Sequence, residues 1–272
     1  MEYIIILAVI AFFVYHYYKN HGRRKLEPKV PAEPQPQTTI TQQEKDNLER
    51  NRLNELLNAP FDAAPEGADP FFVVFDLETT GLPPDDIKEQ EFQHWPVPVQ
   101  IAWAVFTYEG EIIKERSFIL KQNVIIPPDA IKIHRITNEK MNADGVDPYS
   151  VYGEFVADLK ASRYLVAHNM EYDYKVLKAE FYRKGLKVSQ LSKKRICTMK
   201  KFKNFCYILN QYGSGVKNPK LSELAVCCFS TTLAPGRITI KGMHNASMDV
   251  RVTAKCFFEL MNVWGEIEIE KV

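Results

Sequence analysis

The chain has 272 residues, 46% of them hydrophobic and 25% charged, with a formal net charge of +1. That suffices for one sizeable core domain with appendages and excludes a chain disordered throughout. The near-neutral balance conceals an asymmetry: from Arg183 to Lys220 there are eleven Lys or Arg residues and no Asp or Glu, which leaves the remainder acidic.

In chain order, residues 3–18 (YIIILAVIAFFVYHYY) are apolar apart from His16, and Lys19, Arg23, Arg24, Lys25 and Lys29 follow. This reads as a single-pass transmembrane helix. The run is slightly shorter than the ~20 residues of a typical span, and Tyr3, Tyr15, Tyr17 and Tyr18 suit the two interfaces. A cleaved signal peptide would have basic residues in front and small ones behind, whereas Glu2 precedes this run and bulky residues follow it. The flanking positive charge predicts a membrane protein with everything after Lys19 in the cytoplasm. Pro28, Pro31, Pro34 and Pro36 then form a stiff linker. Thr41 and Glu44 make a capping-box pattern ahead of Leu48, Leu53, Leu56 and Leu57, which predicts a surface helix open to a protein partner through residues 41–57. The expected domains are thus residues 1–25 (anchor with basic flank), 26–69 (linker and surface helix) and 70–272 (main folded domain).

Strands are predicted at residues 71–76 (FFVVFD), 99–107 and 112–120, with a turn at Glu109-Gly110 between the last two. Helix and strand then alternate: a helix at 149–160, a short strand at 164–167, a helix at 171–184, a short strand near Ile196, and helices at 221–229 and 247–261. Such an order predicts an α/β domain in which helices flank a mixed sheet. The five cysteines show no C-x-x-C spacing and no histidines at zinc-ligand intervals, so they read as reduced thiols and no structural zinc is expected.

Three motifs carry chemistry. Asp76 and Glu78 stand two apart at the end of an apolar strand, so their carboxylates project to one side and need a cation. Asp173 shares a helical stripe with Val176, Leu177 and Phe181, which places an acid on an apolar face. Asp249 does the same with Thr253, Cys256 and Leu260. His244, five residues earlier, would lie about 140° away on a regular helix and is therefore placed on the preceding loop, with Asn245 or Ser247 as the cap.

Four acids and a histidine in this order resemble the DEDD superfamily of 3′-to-5′ exonucleases, in the histidine-bearing branch that includes the proofreading subunit of bacterial replicative polymerase. The resemblance runs from about Phe71 to Leu260 and takes in His94-Trp95-Pro96, the segment 99–103 (VQIAW), Ile133-His134-Arg135-Ile136-Thr137 and Cys197-Thr198-Met199. It implies a ribonuclease-H-like, five-stranded mixed sheet and two divalent ions, Mg²⁺ or Mn²⁺, held by Asp76, Glu78, Asp173 and Asp249. His244 would be the general base for the attacking water. Thr79, Leu82, His134 and Asn169 would hold the 3′-terminal nucleotide of a single strand, with DNA favoured over RNA. Two departures stand out. Arg135 occupies a position that usually holds glycine in a His-Gly-Ile motif, and Tyr172 stands where phenylalanine is commoner. The acid-free basic stretch, with Lys193, Lys194, Arg195, Lys200, Lys201 and Lys203 interleaved with Phe202, Phe205, Tyr207 and Tyr212, suits a single-strand path. The rival reading is a membrane-anchored nucleic-acid-binding module that keeps the fold with little turnover.

Overall fold

The computed structural model describes residues 41–88, 90–235 and 240–264. The apolar run at 3–18 and the proline-bearing linker lie outside the described residues. Among the described residues no helix is long and apolar enough to cross a membrane.

Helix α1 (Gln42–Asn58) starts at the expected capping box: the Glu44 amide donates to Thr41 Oγ1 at 3.3 Å and the Thr41 amide to the Glu44 carboxylate at 2.8 Å. It is more than a surface helix. Leu53 and Leu57 are fully buried in the same apolar cluster as Phe72, Phe106 and Phe257, so burial rather than intrinsic propensity fixes its place.

Five strands form one sheet in the order β3-β2-β1-β4-β5: β1 (Phe72–Thr79), β2 (Pro98–Phe106), β3 (Ile112–Ile119), β4 (Tyr164–Ala167) and β5 (Lys194–Cys197). The first three make an antiparallel meander, and β4 and β5 run parallel to β1 and to each other. Both faces of the centre are covered, which is why β2 reads as a nearly unbroken apolar run and is buried along its whole length. At the β2–β3 turn Gly110 has φ 90°, and a Cβ there would meet the Phe258 ring at 3.0 Å, so both backbone and packing require glycine.

On one face lie Phe72 and Val74 of β1 with helices α8 (Leu221–Phe229) and α9 (Ala246–Trp264). On the other, Val73, Phe75 and Leu77 pack against α4 (Pro148–Ala161) and α5 (Met170–Arg183). Two short helices, α2 (Pro128–His134) and α3 (Asn138–Asp144), were not legible as helices in the sequence. A small cluster of Val99, Ile126, Ala130, Ile136 and Met141 holds them, and seven residues each is too short to show a periodic stripe. The basic stretch contributes two single turns, α6 (Thr198–Lys201) and α7 (Lys203–Cys206).

Candidate active site

Strand β1 runs through Thr79, three residues beyond the predicted end, so Asp76 and Glu78 both sit inside it. Period-two alternation puts them on the face that α9 covers, in line with Phe72 and Val74. Strand β4 pairs with β1 only as far as Val74, which leaves the far edge of β1 open. There the Leu77 amide donates to the Asp173 carboxylate instead of to a strand. Asp173 lies in the first turn of α5, is 4% exposed, and also takes its own amide. The sheet thus ends where the third acid enters.

Asp249 arrives from the first turn of α9. Ligand oxygens of Asp76, Glu78 and Asp249 lie within 4.8 Å of one another. Burial, reinforced by Asp173, Asp249 and Glu78, holds the Asp76 carboxyl well above the usual range. Burial first, then Asp249 and Asp173, pushes Glu78 up to about 8, and burial pushes Asp249 up to about 7. Asp173 is raised by burial and by Asp249. Four anions gathered in a low-dielectric corner demand a compensating charge. The donor set fits a hard divalent cation: it is all oxygen, and Asp249 Oδ1 is buried with no hydrogen-bond partner. Asp173 is outside the three-oxygen group and acts on it through charge.

His244 sits on the loop before α9, as expected, in the left-handed region at φ 64°. Its amide donates to Asp249 Oδ2 at 3.3 Å while its side chain is exposed to solvent. Asn245 caps α9 by accepting the Ser247 amide at 3.1 Å. Gln100, directly across the ladder from Glu78, was not singled out as a site residue in the sequence. Its Oε1 accepts the Ala246 amide at 3.3 Å and its Nε2 donates to Ser117 at 3.1 Å. It fixes the start of α9, and with it Asp249, against the strand that bears the other acids. The sequence signal was a lone amide in a strand otherwise apolar.

The expected substrate-holding residues surround this corner. Thr79 Oγ1 lies 2.8 Å from the Gly81 carbonyl and 2.7 Å from the Tyr172 hydroxyl, and that hydroxyl donates to the Gly81 carbonyl at 2.6 Å. The Thr79 hydroxyl is thus spent on shaping the turn, and Tyr172 uses the one atom that phenylalanine lacks. Beyond the turn Leu82 is 84% exposed. Asn169 is the N-cap of α5 in the left-handed region (φ 68°), a conformation Asn tolerates well, and its side chain makes no cap hydrogen bond. His134 is buried at the end of α2, where Nδ1 accepts the Ile136 amide at 3.1 Å and the ring faces the Thr79 backbone. Arg135 adopts the glycine-like conformation itself, φ 65° and ψ 12°, and closes α2 by donating to the Ile131 carbonyl at 2.8 Å. The motif geometry survives without glycine.

The basic stretch is not one surface. Arg183 turns inward: its guanidinium reaches the Phe92, Trp95 and Pro96 carbonyls at 2.7, 3.0 and 3.1 Å and the buried Glu180 carboxylate at 2.8 Å. Lys184 joins the same carboxylate at 3.3 Å. Arg195 stacks over Tyr174 at 4.1 Å, and Lys200 pairs with Glu171 at 2.7 Å. Phe202 is fully buried and Phe205 packs on the core, so neither is available to bases; Tyr207 and Tyr212 are exposed. Charge and composition could not separate these cases, because helix phase and burial decide them.

Comparison with known proteins agrees with this geometry. The family model described as exonuclease, of the RNase T type, matches residues 73–257. The chain is 26% identical over 190 residues to the 3′-5′ exonuclease DinG of Bacillus subtilis (strain 168), covering 70% of this chain and 17% of that protein. It is 27% identical over 167 residues to exodeoxyribonuclease 10 of Escherichia coli (strain K12), covering 61% and 63% respectively. The fold is shared with E. coli exonuclease I, solved in complex with a dA16 oligonucleotide, at a TM-score of 0.52 and 19% identity over 70% of this chain and 40% of that one. The chain therefore spans less than two thirds of each of these relatives, and the match centres on the domain that holds the four acids. On the family match across most of its length, the chain belongs to the RNase T exonuclease family.

Proposed function

We propose that the protein is a metal-dependent 3′-to-5′ exonuclease that releases nucleoside monophosphates from single-stranded nucleic acid, with DNA as the principal substrate. The observation that carries this reading is the convergence of Asp76, Glu78 and Asp249 at the open end of β1, with Asp173 beside them. Names of relatives support it: one is a 3′-5′ exonuclease, another an exodeoxyribonuclease.

Asp76, Glu78 and Asp249 would hold the divalent ions, Mg²⁺ or Mn²⁺. Bound there, the ions would neutralise charge on the scissile phosphate and favour ionisation of the attacking water. Asp173 adds negative charge from α5 and holds the open edge of β1 through Leu77. His244 takes the proton from the water. Its exposed imidazole stands on a loop whose amide is tied to Asp249, so it can reach a substrate that lies over the acids. Leu82 presents an apolar side chain to the terminal base, and His134 and Asn169 supply polar atoms at the same corner.

The apolar run at 3–18 supports a membrane-tethered form, and fractionation of the full-length chain with membranes tests that part. Activity is tested with matched 5′-labelled DNA and RNA oligonucleotides in Mg²⁺, Mn²⁺ or EDTA. A ladder shortening from the 3′ end, absent in EDTA, is expected. Binding without shortening in either metal would replace the enzyme reading with that of a binding module.

A further inference from the structure

One histidine outside the acidic centre ties together a part of the chain that the catalytic mechanism leaves unused. His168 follows β4 directly and precedes Asn169. Its Nε2 lies 3.1 Å from the Pro219 carbonyl and its Nδ1 3.0 Å from Thr198 Oγ1. A carbonyl only accepts, so Nε2 carries the proton and Nδ1 accepts from the threonine hydroxyl. Both ends of the segment 198–219 are therefore closed on one imidazole, next to a residue of the candidate site. Burial keeps that ring neutral, its pKa lowered to about 4.

Between those ends the segment has two parts. Phe202 and Phe205 root it in the core under α8 and α9. The rest forms a tight hairpin: Leu209 bridges Val216, the Lys217 amide donates to the Ile208 carbonyl at 2.8 Å, and Asn210 Oδ1 accepts the Tyr212 and Ser214 amides at 3.0 and 3.1 Å. This excursion leaves three large apolar side chains in solvent, Tyr207 at 68%, Leu209 at 52% and Tyr212 at 80%. The segment itself holds no acid, and two of its lysines are paired with acids outside it, Lys200 with Glu171 at 2.7 Å and Lys217 with Glu223. Exposed aromatic rings on a hairpin whose two ends are closed on His168, the residue before Asn169, match the chemistry of an unpaired strand, whose bases stack on aromatic faces.

We propose that residues 198–219 form a strand-binding arm, in which Tyr207 and Tyr212 stack on bases of a single-stranded nucleic acid upstream of the 3′ end engaged at Asp76, Glu78 and Asp249. The proposal rests on the exonuclease reading and extends it from the terminal nucleotide to the rest of the strand. The arm has no part in bond cleavage. It sets affinity for long substrates.

The test compares full-length protein with a Tyr207→Ser/Tyr212→Ser variant and a Tyr207→Phe/Tyr212→Phe variant that keeps both rings. Binding of a 16-nucleotide oligo-dT is read by anisotropy in EDTA, and cleavage of the same strand and of a dinucleotide is followed in Mg²⁺. At about 1–3 kcal/mol per stacked base, loss of the rings should weaken oligo-dT binding at least tenfold and raise its KM to match, with kcat unchanged. The dinucleotide, too short to reach the arm, should be cleaved at the parent rate, and the phenylalanine variant should behave as the parent. Unaltered oligo-dT affinity in the serine variant overturns the arm and leaves the face to another partner, such as a lipid surface. An equal loss on the dinucleotide overturns it too, since the substitutions would then be acting on the centre. If the parent cleaves neither substrate, the exonuclease reading fails, and the EDTA binding measurement still decides on the arm.

Discussion

Replacing Tyr172 by phenylalanine removes one oxygen from beneath the turn that leaves β1. In the parent that hydroxyl donates to the Gly81 carbonyl at 2.6 Å and sits 2.7 Å from Thr79 Oγ1. The ring keeps its place, and the Gly81 carbonyl keeps Thr79 Oγ1 at 2.8 Å, so no buried acceptor is orphaned. The loss is therefore the net worth of one or two hydrogen bonds, about 1–2 kcal/mol, rather than a full desolvation penalty. For a domain of this size that is roughly 3–6 °C in melting temperature. The turn orients Leu82, so kcat/KM on oligonucleotides should fall by about tenfold or less, mostly through KM. A Thr79→Val variant and the double variant complete a cycle whose coupling should be on the order of 1 kcal/mol. Burial pushes the Tyr172 hydroxyl up to about 12, so the brace should hold across the whole working pH range. An unchanged melting temperature together with strictly additive single effects would refute the brace.

Asp76→Ala should abolish cleavage, and His244→Ala should slow it by about two to four orders of magnitude, the usual worth of a positioned base; oligonucleotide digestion separates the two, and near-normal rates from Asp76→Ala would remove the site assignment. Metal-free protein should lose stability as pH rises from about 4.5, the ordinary carboxyl range, to about 8. Glu78 and Asp249 titrate higher when folded, at about 8 and about 7, so the folded state holds those protons more tightly, and its advantage disappears as they leave. Mg²⁺ should raise the melting temperature most at the alkaline end and release protons on binding, and calorimetry at two pH values would expose the opposite sign. Arg135→Gly should stabilise the fold by about 0.5–1 kcal/mol, because only glycine occupies the left-handed region without penalty. A lower melting temperature in that variant would mean that the arginine side chain makes compensating contacts.

The acids, their order and the elements that carry them were legible in the sequence because each rests on a local period: alternation in β1, a 3.6-residue stripe in α5 and α9, and a capping box at Thr41. The strands and the longer helices were found to within a few residues for the same reason. The sequence also showed that His244 must precede its helix, by angular arithmetic alone. Tertiary structure decided what local pattern cannot encode. That α1 docks through Leu53 and Leu57 depends on which surface lies opposite, as does the reach of Gln100 across the ladder to the first turn of α9. Arg183 and Tyr207 look alike as members of a basic, aromatic stretch, yet one guanidinium is sunk among three carbonyls and the other ring stands in solvent. Composition determines which groups a segment can offer; only packing over long sequence separations determines which of them are used up inside the fold and which remain for a ligand.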